Sequence, residues 1–192
     1  TIAQKEKGLH ANKTKAEIMK YFVTADTHFG HKNIIKYCNR PYQDIEEMDQ
    51  ALIHNWNERV KPQDIVYFLG DFCFKTSQKS NENSLQTNIS DYYKSKLNGD
   101  IIFIKGNHDN KNSTKTLIKS LQLEYGGLKI NCIHDPEDFN PEFEINFVGH
   151  IHQKWSIKRL DNSILYNVGV DVHRYMPITI EEALRDIVKR KE

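Results

Sequence analysis

A single layered α/β domain is the fold class this sequence predicts, on three observations. Apolar runs of strand length alternate with segments of helical period from Tyr21 onward, the pattern of helices packed on a sheet. The 192 residues suffice for one domain with a sizeable core and are too few for two of ordinary size. The composition, 38% hydrophobic and 28% charged, is that of a soluble protein. No apolar run approaches the roughly 20 residues that cross a bilayer, so nothing membrane-embedded is expected.

The first element to justify begins only after residue 20. Residues 1–20 are polar and Lys-rich with little apolar periodicity. They read as a mobile arm, a poorly packed first helix or an expression remnant, and lack the apolar core of a secretory signal. The domain is therefore expected over 21–192. Strands are predicted at YFVTA (21–25), DIVYFLG (64–70), DIIFIKG (100–106), LKINCIH (128–134), EINFVGH (144–150) and SILYNVGV (163–170). Between the first two, Ile45, Met48, Leu52, Trp56 and Val60 recur at helical spacing and Pro62 stops the helix. Weaker helices are expected over 89–97, closed by an Asn98-Gly99 turn, and over 113–121. A last helix follows Thr179, which has capping-box spacing to Glu182. The polar stretch 75–88 reads as a loop.

Charge and cysteine usage narrow the function classes. A net charge of +1 argues against a strongly basic nucleic-acid-gripping surface, though it allows a local basic rim. Cys38, Cys73 and Cys132 form neither an even framework nor a CxxC pair, so a reducing cytoplasm is the expected home. Cys73 reads as a buried small hydrophobe, His10 and His54 as structural, and Tyr37, Tyr92 and Tyr93 as helix-face packing.

The chemistry lies where the strands stop. The first apolar run gives way to Asp26 and His28, the second ends in Asp71, the third in Asn107-His108-Asp109, the fourth in His134 and the fifth in His150 and His152. In layered α/β folds, ligands bind at the carboxyl ends of strands, so these residues can converge. Mixed imidazole, carboxylate and amide donors suit Mn, Fe, Zn, Ni or Co and disfavour calcium. Seven or more ligands are too many for one ion. Two ions roughly 3.5–4 Å apart and sharing a carboxylate would use them, and such pairs act on phosphate esters. Each short motif has a bland reading alone, as a surface loop or polar turn, but no bland reading covers all five together.

The ordered series DxH at 26–28, GD at 70–71, GNHD at 106–109, His134 and GHxH at 149–152 resembles the calcineurin-like metallophosphoesterase family. HKNIIKYCNRPY and NVGVD further resemble its small single-domain bacterial and phage members. The resemblance implies a four-layer αββα sandwich with two mixed sheets flanked by helices and a dinuclear site on one edge. It implies Asp26, His28 and His152 on one metal, Asn107, His134 and His150 on the other, and Asp71 bridging. Manganese is the favoured metal. His108 would face the scissile phosphate and assist the leaving group, oriented by Asp109, while a metal-bridging hydroxide attacks phosphorus. One position departs: the family often carries Asn, Asp or Glu three residues after the GD aspartate, and Phe74 stands there.

The implied activity is a phosphodiesterase acting on a small phosphodiester or nucleotide. A nuclease or RNA-end phosphatase acting on short RNA or DNA ends is the alternative, and a non-catalytic metal-binding scaffold is a further one. His31, Asn33, Arg40 and Arg174 are additional candidates for phosphate oxygens, with solvated or helix-capping roles as the competing reading.

Overall fold

The computed structural model describes residues 18–74, 88–109, 114–160 and 162–190. Most of the expected arm, including His10, and the expected loop from 75 to 87 lie outside the described residues. In chain order the elements are β1 (Tyr21–Thr24), α1 (Ile34–Tyr37), α2 (Ile45–Arg59), β2 (Ile65–Leu69), α3 (Ile89–Lys94), β3 (Asp100–Ile104), β4 (Ser120–Tyr125), β5 (Leu128–Ile133), β6 (Ile145–Val148), β7 (Ile157–Arg159), β8 (Ile164–Asn167), β9 (Ile178–Thr179) and α4 (Ile180–Lys189). No helix among the described residues is long and apolar enough to cross a membrane.

Two mixed sheets form the sandwich that the sequence predicts. The first has strand order β3-β2-β1-β9, with β1, β2 and β3 parallel and β9 antiparallel to β1. The second has order β4-β5-β6-β8-β7, with β5, β6 and β8 parallel and antiparallel strands on both edges. The period-two alternation of β1 and β2 sorts their side chains to two cores. Val23 and Leu69 face the second sheet, where they join Ile130, Cys132, Phe147 and Tyr166. Phe22, Val66 and Phe68 face outward onto Met48, Leu52 and Trp56 of α2 and Tyr93 of α3. Ile180, Ala183 and Ile187 of α4 complete the inner core. Phe139, Trp155 and Leu160 pack on Ile133, Val148 and Leu165 of the second sheet.

The helix ends follow their sequence signals. Asp44 caps α2 by accepting from the Glu47 N–H, and the helix stops at an extended Val60, two residues before Pro62. Thr179 and Glu182 form the expected capping box on α4. The helix expected over 113–121 is a correction. Ser113 lies outside the described residues, 114–119 is irregular, and Ser120 already opens β4. Leu121, Leu123 and Tyr125 alternate with exposed neighbours, and Gly126-Gly127, both at positive φ, link β4 to β5 in a two-residue hairpin. A strand-period pattern followed by Gly-Gly outweighed the weak helical spacing.

The topology decides where the chemistry sits. Three parallel strands in each sheet point their carboxyl ends at the same edge of the sandwich, and the edges are tied together. The Val170 N–H donates to the Ala25 carbonyl at 3.1 Å, and Ala25 bridges Gly169.

Candidate metal centre

Five of the seven expected metal ligands adopt a backbone that non-glycine residues rarely take. Asp26 (φ 60°), His28 (51°), Asp71 (58°), His150 (71°) and His152 (49°) are all left-handed. Such strain costs free energy, persists only where surroundings enforce it, and gathers at functional sites. Here it turns each chain sharply off its strand end, so that the side chain faces the shared edge.

The seven residues fall into two groups. Asp26, His28 and His152 each offer one donor atom within 4.8 Å of the others, and so do Asp71, His134 and His150. Asn107 joins the second group: its Oδ1 lies 2.8 Å from His134 Nε2 and 3.0 Å from His150 Nδ1. Asp71 stands between the groups, its Oδ2 3.5 Å from both His28 Nε2 and His134 Nε2.

Two side-chain atoms of the ligand set are buried without a hydrogen-bond partner, Asp26 Oδ1 and His28 Nε2, as is Nδ1 of the neighbouring His31. Unpaired polar atoms in a protein interior are costly, and here an acceptor oxygen and an imidazole nitrogen are left to meet something. The donor set of imidazole nitrogens, carboxylates and one amide oxygen fits a pair of divalent transition ions.

The electrostatics agree with that fit. Burial pushes the Asp26 carboxyl up to about 7, against the pull of His134 and His152. Burial also acts on Asp71, but hydrogen bonding and charge from His134, the charge of His28 and the His108 N–H outweigh it and bring it down to about 2. His134 rises to about 9: burial opposes the charge, and Asp71 and Asp26 more than compensate. Its Nδ1–H donates to the Leu69 carbonyl at 2.7 Å, fixing the ring so that Nε2 faces the site. His152 rises to about 10, because its bond to Asp171 and the nearby Cys38 and Asp26 overcome burial. Burial holds His28 well below the usual imidazole range, and it lowers His150 with help from His134.

The motif glycines have a steric reason. A Cβ on Gly106 would lie 2.2 Å from Asp71 Oδ1, and one on Gly149 would lie 2.8 Å from the Ala25 side chain and 3.0 Å from Asp26 Oδ2. Asp109 knits the same turn: its carboxylate accepts from the Asp71, Gly106 and Phe72 N–H groups. The His108 N–H donates to Asp71 Oδ1 at 2.8 Å, and its exposed ring stands 5.7 Å from that of His28.

Arg40 does not sit at the rim as a phosphate contact, and this is a correction. Its side chain is 0% exposed and committed to the Asp26 and Thr27 carbonyls and to both oxygens of Asp171. It holds up the β1 end from behind. Asp171 was not singled out by sequence reasoning, although it ends the NVGVD word. It accepts from His152 Nδ1–H at 2.7 Å and so fixes that ring's tautomer. His31 lies beside the ligands, its ring 5.6 Å from that of His28. Asn33 and Arg174 are exposed, and no hydrogen bond or ion pair among the described residues joins either to the ligand set.

The remaining singled-out residues sort clearly. His54 pairs with Glu58 on the exposed face of α2. Cys73 is buried, which pushes its thiol up to about 12. Tyr93 packs on Phe29 and donates to Asp49, whereas Tyr37 and Tyr92 are exposed, so helix-face packing holds only for Tyr93.

Comparison with known proteins places this geometry. The chain is 39% identical over 181 residues to an uncharacterized protein of Methanocaldococcus jannaschii, MJ1445, covering 90% of this chain and 93% of that one. Its fold is similar to the crystal structure of the protein of unknown function AQ665 from Aquifex aeolicus, with a TM-score of 0.65 at 21% identity, over 88% of this chain and 99% of that one. The family model for calcineurin-like phosphoesterases matches residues 19–190, every strand and helix described above lies within that span, and the chain therefore belongs to the calcineurin-like phosphoesterase family.

Proposed function

We propose that this protein is a phosphoesterase dependent on two divalent metal ions, manganese being the favoured pair, and that it prefers phosphodiesters. The observation that carries the reading is the placement of Asp71 Oδ2, 3.5 Å from an imidazole nitrogen of each ligand group. Asp26, His28 and His152 would hold one ion and Asn107, His134 and His150 the other, with Asp71 shared. Bound there, the ions would act as Lewis acids on phosphoryl oxygens and supply water acidic enough to attack near neutral pH.

The chain's own groups provide the rest. His108 stands exposed beside His28 with its backbone fixed by Asp71, in position to give a proton or hydrogen bond to the leaving oxygen. Asp109 orders the turn that presents Asn107 and His108. Asp171 holds the His152 ring. The burial of Arg40 removes one guanidinium from the rim where a dianionic monoester would gain most from it, which supports a singly charged diester as substrate.

The test is hydrolysis of bis-p-nitrophenyl phosphate against p-nitrophenyl phosphate by chelator-stripped protein, with and without Mn²⁺, beside His108→Ala. The expected result is metal-dependent turnover that favours the diester and falls roughly 10²- to 10⁴-fold in the variant while metal content holds. Equal activity in the variant would remove His108 from the mechanism. No turnover in protein loaded with two ions would overturn the hydrolytic reading in favour of metal binding without catalysis.

A further inference from the structure

Beside the ligand set lies a group of aromatic rings that the hydrolytic machinery does not use. His31 sits one turn past His28 and its ring is stacked on Phe74, 4.3 Å between centroids and 14° between planes. Tyr37 of α1 meets the same imidazole edge-on at 6.3 Å. Both outer rings are open to solvent, Tyr37 at 69% and Phe74 at 41%, although large aromatic side chains are usually among the best buried. Phe74 thus places a flat apolar ring, half open to solvent, beside the cradle.

We infer that His31, Tyr37 and Phe74 form a stacking subsite for the nucleobase of a nucleotide whose phosphate lies over the metal cradle. The inference rests on reading that cradle as a phosphoryl site. A nucleotide carries its planar base one sugar away from its phosphate, and the aromatic group stands one imidazole away from His28. Aromatic faces accept any base, because every base offers a π face, so this subsite selects for a base without choosing which. The His31–Phe74 stack holds the pair flat before a ligand arrives, which reduces the ordering cost of binding. The exposed Lys32 and Lys36 on the same segment favour an anionic ligand over a neutral aromatic one.

The experiment is calorimetric binding of AMP and of ribose 5-phosphate to the full chain, comparing the wild type with Tyr37→Ala, Phe74→Ala and Tyr37→Phe. The two ligands share sugar and phosphate, so the ratio of their affinities reads the base alone. The wild type should prefer AMP by roughly tenfold or more, within the range that stacking gives per base. Either alanine variant should bring the ratio toward one, and Tyr37→Phe should retain it, since the ring and not the hydroxyl is needed. Equal affinity for the two ligands, no measurable binding of either, or a ratio unchanged in both alanine variants would overturn the subsite. Binding is read without turnover. An inert protein that still prefers AMP therefore sinks the hydrolytic reading and supports the subsite, and an active enzyme without preference does the reverse.

Discussion

Asp171 links the half-buried His152 ring and the buried Arg40 guanidinium, and Arg40 in turn holds the carbonyls of Asp26 and Thr27. Asp171→Asn keeps the shape and removes the charge. The fully buried Arg40 then lacks a counter-charge, at a cost of about 3–5 kcal/mol. Metal affinity should fall roughly 10- to 100-fold as His152 loses its orienting partner. Urea denaturation and metal content after dialysis would measure both, and a variant with wild-type values for each would reduce Asp171 to a bystander. The pH dependence belongs to the same scale. His134 and His152, at about 9 and 10 against an ordinary 6.5, hold protons at neutral pH in metal-free protein. Metal needs both rings deprotonated, so uptake should release protons and affinity should rise with pH toward those values. Because both folded values are raised, their contribution to metal-free stability is complete below 6.5 and lost as pH climbs through 9 and 10. Calorimetric titration with Mn²⁺ in two buffers of different ionisation heat would count the protons, and identical heats in both would contradict this account.

The turns after β2 and β3 form one unit, because each supplies what the other lacks. Asp71 Oδ1 accepts from the His108 N–H, and the Asp109 carboxylate accepts from the Asp71 N–H. Gly106 is the contact point. Gly106→Ala should push Asp71 out of place, cost about 1–3 kcal/mol through overpacking and abolish metal retention. Gly126→Ala is the control: its φ is positive, at 58°, as that of Gly106 is not, but nothing lies within 4 Å of the added carbon, so metal content should hold. Metal analysis of the two purified variants decides between a steric and a merely conformational role. At this scale β1, β2, β3, β5, β6 and β8 were legible, because each is an apolar run closed by a polar residue. β4 was hidden by helical-looking spacing upstream, and β7 and β9, at three and two residues, are too short to carry a period.

Across the whole molecule, the ligands come from both sheets. Asp26, His28, Asp71 and Asn107 follow strands of the first, and His134, His150 and His152 follow strands of the second. Ions bound there would therefore fasten the sandwich along one edge. Since only the folded chain brings the ligands together, binding at a hundredfold excess over Kd adds about 2.7 kcal/mol, which at this chain length is a Tm rise of roughly 5 °C or more. Thermal melts with chelator and with Mn²⁺ should differ by that much for the wild type and coincide for Asp71→Ala. A full shift in the variant would show that Asp71 is not shared between the two ion sites.

The sequence by itself determined the fold class, the strand ends and the candidate donor atoms, because apolar period and residue chemistry are local properties. Asp26, His28, Asp71, Asn107, His134, His150 and His152 could all be named from where their strands stop. Only the tertiary structure decided which of them meet, that Asp71 faces both groups, that Arg40 turns inward onto Asp171, and that Tyr37 and Phe74 stay open beside His31. The physical reason is range. Whether an arginine reaches solvent or a carboxylate 131 residues away depends on how two sheets stack, and no local pattern encodes that distance.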